Sequence, residues 1–310
     1  MPFTYTIQNR THRFGAPDTA AASDPDAYIE ITGFDGTIRV LQIPERIEGL
    51  PVERIGARAF ADRADLEEIY LPAGLKGLGP FAFYNCPRLS YLGLSDRIEE
   101  YNDGVIRHCK SLEEIEITMG EAANYELLRR LLADNDRKLH LFVHMPDGDF
   151  SLIFPEYLVD FKEDTFARAF HFRIEGGYAS RECITRQGID FAAYDAGFYQ
   201  TTVDSTVVAA EVAFARLLYP YELREEYCAQ YEQYLRETAA EILPDLIRNG
   251  DLQKINLLTE RGLLEKPVVS DAIHIASDAG QAEICAVLLA YKEKYFSVRN
   301  IREPFSLESL

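Results

Sequence analysis

Six histidines, five cysteines and 51 carboxylates are the groups with which this 310-residue chain could do chemistry, and their spacing limits each reading. A metal site needs converging ligands at known intervals. His140 and His144 can share one face of a strand, but no Cys, Asp or Glu follows at a zinc-like interval, so no metal is expected. His171, Glu175, Asp190, Tyr194 and Asp195 form a polar concentration in an otherwise aromatic stretch. A general acid and base held there within hydrogen-bond reach would make an enzyme with a pocket around residues 171–195, whereas buried satisfied groups and helix caps account for the same residues without catalysis. Gly74, Gly77 and Gly79 lack the following Lys-Ser/Thr of a phosphate loop, and no nucleophile motif or dinucleotide fingerprint is present. No cofactor is expected, and catalysis is the minority reading.

What positions these residues is a repeat. Leu66, Ile69 and Leu71 recur 23 residues later as Leu89, Leu92 and Leu94, and again as Leu112, Ile115 and Ile117. Ile55-Gly56 and Ala59-Phe60 return in the same register as Leu78-Gly79 and Ala82-Phe83. A unit this short cannot bury its own apolar face, so copies must stack into a solenoid. The alternation in Ile69-Tyr70-Leu71 predicts a short strand with odd-numbered residues inward, and Ala-Phe fills the interior from the returning limb. Ile38, Leu41 and Ile43-Pro44 match at an offset of 28, which places the extra residues in a loop at Glu48-Gly49-Leu50-Pro51. Cys86 and Cys109 share one column, where a small buried hydrophobe suffices.

These residues resemble the BspA-like leucine-rich repeat family, whose units read Ile-Pro, Ile-Gly-x-x-Ala-Phe, Cys, Leu-x-x-Ile-x-Leu-Pro; the likeness runs from Ile38 to Ile117. The third unit departs from it, with Asn102 in the glycine column and Val105-Ile106 for Ala-Phe, and is expected to relax toward a cap. The resemblance implies a binding module. It also implies a family known from surface and secreted proteins, so an adhesin whose leader lies upstream of Met1 stands as an alternative.

Beyond Ile117, Glu121 to Asp134 has helical spacing, and Leu139 to Met145 and Phe150 to Phe154 read as strands joined by Pro146-Asp147-Gly148-Asp149. This helix and hairpin should close the solenoid's open end. From Pro155 a helical pattern is expected: Phe166, Ala167, Phe170 and Ile174 on one face, Val208, Val212, Ala215 and Leu218 on another. Phe191, Tyr194, Phe198 and Tyr199 read as core between them, and Pro220 and Pro244 as helix starts or breaks. Asn249-Gly250-Asp251-Leu252 repeats 30 residues later as Ala279-Gly280-Gln281-Ala282, and Asp271-Ala272-Ile273-His274-Ile275-Ala276 resembles an ankyrin helix pair with His274 at its histidine.

The expected architecture is thus α+β: a capped leucine-rich solenoid with parallel strands over residues 1–154, then an α-helical domain over 155–310 with ankyrin-like hairpins at about 236–295. A formal charge of −19 without a basic run argues against nucleic acid, and no run approaches the roughly 20 apolar residues of a membrane span. Scattered cysteines and the absence of a basic-then-apolar start make the cytoplasm the default compartment. The expected function is non-catalytic recognition of a protein partner. Its face is formed by the strand positions between the inward columns, Val40, Gln42, Glu68, Tyr70, Tyr91, Gly93, Glu114 and Glu116, whose carboxylates favour a basic partner.

Overall fold

A computed structural model of the chain describes residues 2–10, 26–164 and 169–296, with the backbone alone over 158–164 and 169–176. The described residues fall into two compact units, Met1–Tyr227 and Cys228–Leu310.

In the first unit, apolar alternation produces two ladders of short strands, one on each side of a solenoid interior. The first sheet runs β1 (Phe3–Asn9), β2 (Ala27–Phe34), β5 (Leu50–Ile55), β7 (Gly77–Leu78), β9 (Glu100–Tyr101), with β4 (Arg46–Ile47) beside β5. The second runs β3 (Val40–Gln42), β6 (Glu68–Tyr70), β8 (Tyr91–Ser95), β10 (Glu114–Thr118), β11 (Leu139–Met145), β12 (Gly148–Phe154). Leu41, Ile69, Leu92, Ile115 and Leu141 stand opposite one another across five parallel strands, and all are buried. The predicted core columns therefore meet rung by rung. The additional residues of the first coil form the tight β4–β5 turn, where Glu48 and Gly49 both take positive φ.

The returning limbs repeat as faithfully. Phe60 N–H donates to Ala82 O and Phe83 N–H to Val105 O, while the Phe60 and Phe83 rings stack at 5.4 Å. The Cys86 and Cys109 thiols are buried and donate to the carbonyls of Phe60 and Phe83 in turn. Left-handed backbone recurs at Arg58, Phe81 and Gly104, and at Asp62, Asn85 and His108, so each coil turns by the same two conformations although only one of these six is glycine.

The third coil does not relax toward a cap. Val105 and Ile106 are buried as Ala82 and Phe83 are, and Asn102 bonds Leu78 O through both its backbone N–H and its side-chain amide. Closure comes one coil later, when α1 (Tyr125–Ala133) replaces the returning strand and presents Leu127, Leu128, Leu131 and Leu132 to the interior. β11 then adds a fifth parallel rung, and β12 turns back antiparallel.

Residues 157–164 and 169–176 correct the sequence reading. They form an antiparallel hairpin of β13 (Tyr157–Asp164) and β14 (Ala169–Gly176), not a helix; Phe166 and Ala167 lie outside the described residues. Phe170, Phe172 and Ile174 alternate at period two, and this won over the sparser helical spacing. After α2 (Tyr178–Arg181), α3 (Phe191–Ala196) and α4 (Phe198–Asp204), α5 (Thr206–Leu218) packs against β12 with Val212, Ala213 and Phe214 buried. Phe191, Tyr194 and Phe198 are core as expected, but Tyr199 is 71% exposed. The Phe154/Pro155 division drawn from the sequence falls inside this first unit.

In the second unit, α6 (Glu225–Arg248) enters from residue 228 and is followed by α7 (Leu252–Glu260), α8 (Lys266–Asp278) and α9 (Ala282–Phe296). α6 continues through Pro244 instead of breaking there. Each helix before a turn ends on a left-handed glycine, Gly250, Gly262 or Gly280, with paired capping bonds. For example, Asp251 N–H donates to Leu246 O and Gly250 N–H to Ile247 O, repeated 30 residues later by Gln281 to Ala276 and Gly280 to Ser277. The offset of the faint repeat is thus an offset between equivalent helix caps. His274 is exposed on α8.

Candidate functional site

Because β3, β6, β8, β10 and β11 are parallel and in register, every position between the inward columns joins a row on the outer face. One row is Val40, Glu68, Tyr91, Glu114, His140; the next is Gln42, Tyr70, Gly93, Glu116, Phe142. All eight residues expected to form a contact surface lie in these two rows. Val40 is 50% exposed and Tyr70 38%, Gln42 is exposed, and the other five are half-buried.

The geometry is more specific than a row of solvated positions. The Tyr70 and Tyr91 rings lie 5.0 Å apart and close over Gly93, where an added Cβ would stand 3.2 Å from Tyr91 Oη and 3.3 Å from Tyr70 Cδ1. Tyr70 donates its hydroxyl hydrogen to Glu68 at 2.9 Å, and Tyr91 to Glu116 at 2.7 Å. Glu116 is bound on its other side by His144 Nε2 at 2.9 Å, and His144 Nδ1 reaches Asp149 at 3.2 Å. Beside the tyrosines, a groove of about 480 Å³ is bordered by Tyr70, Tyr91, Gly93, Ser95, Glu116 and Thr118.

The charges are tuned accordingly. Hydrogen bonds from Tyr91 and His144 hold Glu116 below the usual carboxylate range. Burial, then the neighbouring Glu116, push Glu114 up. Burial and the hydrogen bond to Glu116 push the Tyr91 phenol up, and the bond to Glu68 raises Tyr70. Burial pulls His144 down, but its bonds to Glu116 and Asp149 outweigh it and the imidazole is raised. The face therefore presents apolar ring edges among fixed carboxylates.

The sequence reading missed one rung. His140, Phe142 and His144 continue the outward rows because β11 is parallel to β10, with Phe142 packed edge-on against Tyr219 at 4.8 Å. The alternation of even positions from His140 to His144 carried that signal. The two histidines do share a strand face, but they do not converge: His140 bonds Ser151 at 2.7 Å, and His144 bonds the carboxylates.

The polar group around 171–195 is distributed differently. Asp195 is 1% exposed and accepts both arms of the buried Arg216 guanidinium, at 2.8 and 3.0 Å. Tyr194 Oη donates to Ile153 O and accepts from Ile153 N, satisfying the edge strand β12, and Asp190 caps α3 through Ala193 N–H. The side chains of His171 and Glu175 lie outside the described residues. Among the described residues, no group of three or more His, Cys, Asp or Glu is placed to hold a metal ion, and no helix is long and apolar enough to cross a membrane.

Solved structures similar to this chain include a leucine-rich repeat protein from Bacteroides ovatus (24% identity over 39% of this chain and 31% of that one, TM-score 0.29). Another is a leucine-rich repeat protein from Bacteroides capillosus (24% identity, 37% of this chain and 78% of that one, TM-score 0.30). A leucine-rich cell surface protein from Faecalibacterium prausnitzii is similar at 19% identity, over 43% of this chain and 44% of that one, with a TM-score of 0.28. The match thus spans under a third of the Bacteroides ovatus protein. No curated protein matches the chain. The family model for the BspA type leucine rich repeat region matches residues 37–125 in six copies, over the coils whose strands, cysteine ladder and inward columns are described above.

Proposed function

We propose that the chain is a non-catalytic recognition module that grips a basic protein partner on the outer strand face of its solenoid. The observation that supports this is the Tyr70–Tyr91 pair, partly exposed, seated over Gly93 and tethered by Glu68 and Glu116. Aromatic side chains already fixed in place lose little entropy on binding, and such anchors carry about 2 kcal/mol or more each at protein interfaces. Glu68, Glu114 and Glu116 around them steer a cationic partner, an influence that fades as salt rises. The BspA type repeat supports the same reading through its family's association with binding.

Affinity purification from the native cell with wild type and Tyr70→Ala/Tyr91→Ala tests it, followed by titration of the captured partner. The expected result is a partner retained by wild type, lost by the double variant and weakened by salt. Identical partners and affinities for both proteins would refute the strand face as the interface. Cytoplasmic scaffold and cell-surface adhesin use this face alike; protease shaving of intact native cells assigns the compartment.

A further inference from the structure

Among the described residues the first unit buries two arginines, and they are treated differently. Arg216 has its own counter-ion in Asp195. Arg181, at 7% exposure, has no ion-pair partner among the described residues: Nη1 donates to Pro155 O and Gly177 O, Nη2 donates to Arg137 O, and Asp136 acts on it only through space. A guanidinium has five N–H groups, so three donated bonds leave two, and among the described residues Arg181 Nε is the buried side-chain nitrogen or oxygen without a hydrogen-bond partner. Its charge is offset by aromatic faces, Tyr157 at 4.6 Å and Phe154 at 5.8 Å, which is weak compensation for a buried cation.

Arg181 lines a cavity of about 520 Å³, within the range of small-molecule sites. Its walls are chemically divided. Arg129 and Arg186 stand at the rim, sharing the single carboxylate Glu126 at 2.8 and 3.3 Å. Leu132, Tyr157 and Tyr178 supply apolar and aromatic surface. Three guanidiniums against one lining carboxylate, Glu182, are a local reversal in a chain of net charge −19.

We infer that this cavity is a binding site for a small organic anion, whose carboxylate or phosphate head is held by Arg181 and whose apolar or aromatic body lies against Tyr157, Tyr178 and Leu132. The buried guanidinium then gains a close counter-charge, which no described residue supplies as an ion pair, and the planar donor edge favours acceptor oxygens over other groups. Burial pulls the Arg181 pKa down to about 10, against the smaller upward pull of Tyr157 and Asp136. This site is independent of the strand face.

Calorimetric titration of the whole chain at constant ionic strength tests it, with benzoate, phenyl phosphate and uncharged benzyl alcohol as probes. Saturable binding of benzoate identifies a carboxylate site and of phenyl phosphate a phosphate site, with benzyl alcohol inert. Arg181→Gln should weaken the bound anion by about tenfold or more. Because Arg181 also ties three backbone carbonyls, Arg186→Glu on the 77%-exposed rim side chain is the second variant, expected to weaken binding several-fold without unfolding. Tyr70→Ala/Tyr91→Ala should bind the anion as wild type does, which separates this site from the proposed protein interface. The inference is overturned if neither anion saturates at concentrations up to about 10 mM, if benzyl alcohol binds equally well, or if the folded arginine variants retain wild-type affinity.

Discussion

Gly79→Ala is a one-carbon test of how closely the coils approach. A Cβ built on Gly79 stands 2.6 Å from Ala57 N and 2.7 Å from Gly56 C, both backbone atoms of the preceding coil, which no side-chain rotation can relieve. The coils must separate by several tenths of an ångström. Bonds that stretch include Gly79 N–H to Ile55 O at 2.8 Å, Arg58 N–H to Pro80 O at 3.0 Å and Phe60 N–H to Ala82 O at 2.8 Å. Overpacking of this kind costs about 1–3 kcal/mol and each weakened bond adds up to about 1, while the loss of glycine's freedom in the unfolded chain returns about 0.4–1. A net loss of roughly 2–3 kcal/mol is expected, lowering the melting temperature of a unit this size by about 5–10 °C. Gly56→Ala is the control, because its added Cβ meets the flexible Glu30 carboxylate at 3.0 Å and a single carbonyl, Ile31 O, at 3.2 Å. Its loss should be smaller. Thermal melts by circular dichroism give the magnitudes, and hydrogen exchange at Phe60 and Phe83 localises the effect. A Gly79→Ala protein that melts at the parental temperature, with both amides equally protected, would refute coil-to-coil backbone contact at this column.

Leu89→Asp puts an unpaired charge where the parent side chain is fully buried; a loss of about 3–5 kcal/mol and of cooperative melting is expected in urea titrations, and parental stability would mean Leu89 faces water. Arg216→Met strands Asp195 in the interior and should cost about 3–5 kcal/mol, most of it recovered by adding Asp195→Leu; equal losses in the single and double variants would show the pair is not coupled. His144 is raised above its ordinary 6.5 by Glu116 and Asp149, so its stabilising contribution is complete below that value and lost as pH rises through the higher folded pKa. NMR titration of the imidazole, with melts of wild type and His144→Gln between about pH 6 and 9, checks this; titration at or below 6.5 would count against the Glu116–His144–Asp149 bridge.

The capped solenoid was legible because its cause is periodic. Leu66, Leu89 and Leu112, or Ile69, Leu92 and Ile115, are spaced by the length of one coil, and only stacking buries all of them. The outer face followed, since alternation along a strand assigns Tyr70, Tyr91 and Glu116 once Ile69, Leu92 and Ile115 are inward. What alternation could not supply was which neighbours meet. The closure of two tyrosines over Gly93, the Glu116–His144 bond across strands and the fifth rung at β11 depend on parallel register, a relation between segments far apart in the chain.

The sequence by itself determined the coil length, the inward columns and the rows left facing solvent, because burying an apolar stripe is a demand that each unit makes locally and repeats. Only the tertiary structure decided that Tyr157–Asp164 pairs antiparallel with Ala169–Gly176, that Asp195 belongs to Arg216, and that Arg181 is buried beside a cavity with no ion-pair partner among the described residues. A charge carries no mark in the sequence of which opposite charge it will meet; that is fixed by packing, and burial then sets how much each pairing, or its absence, is worth.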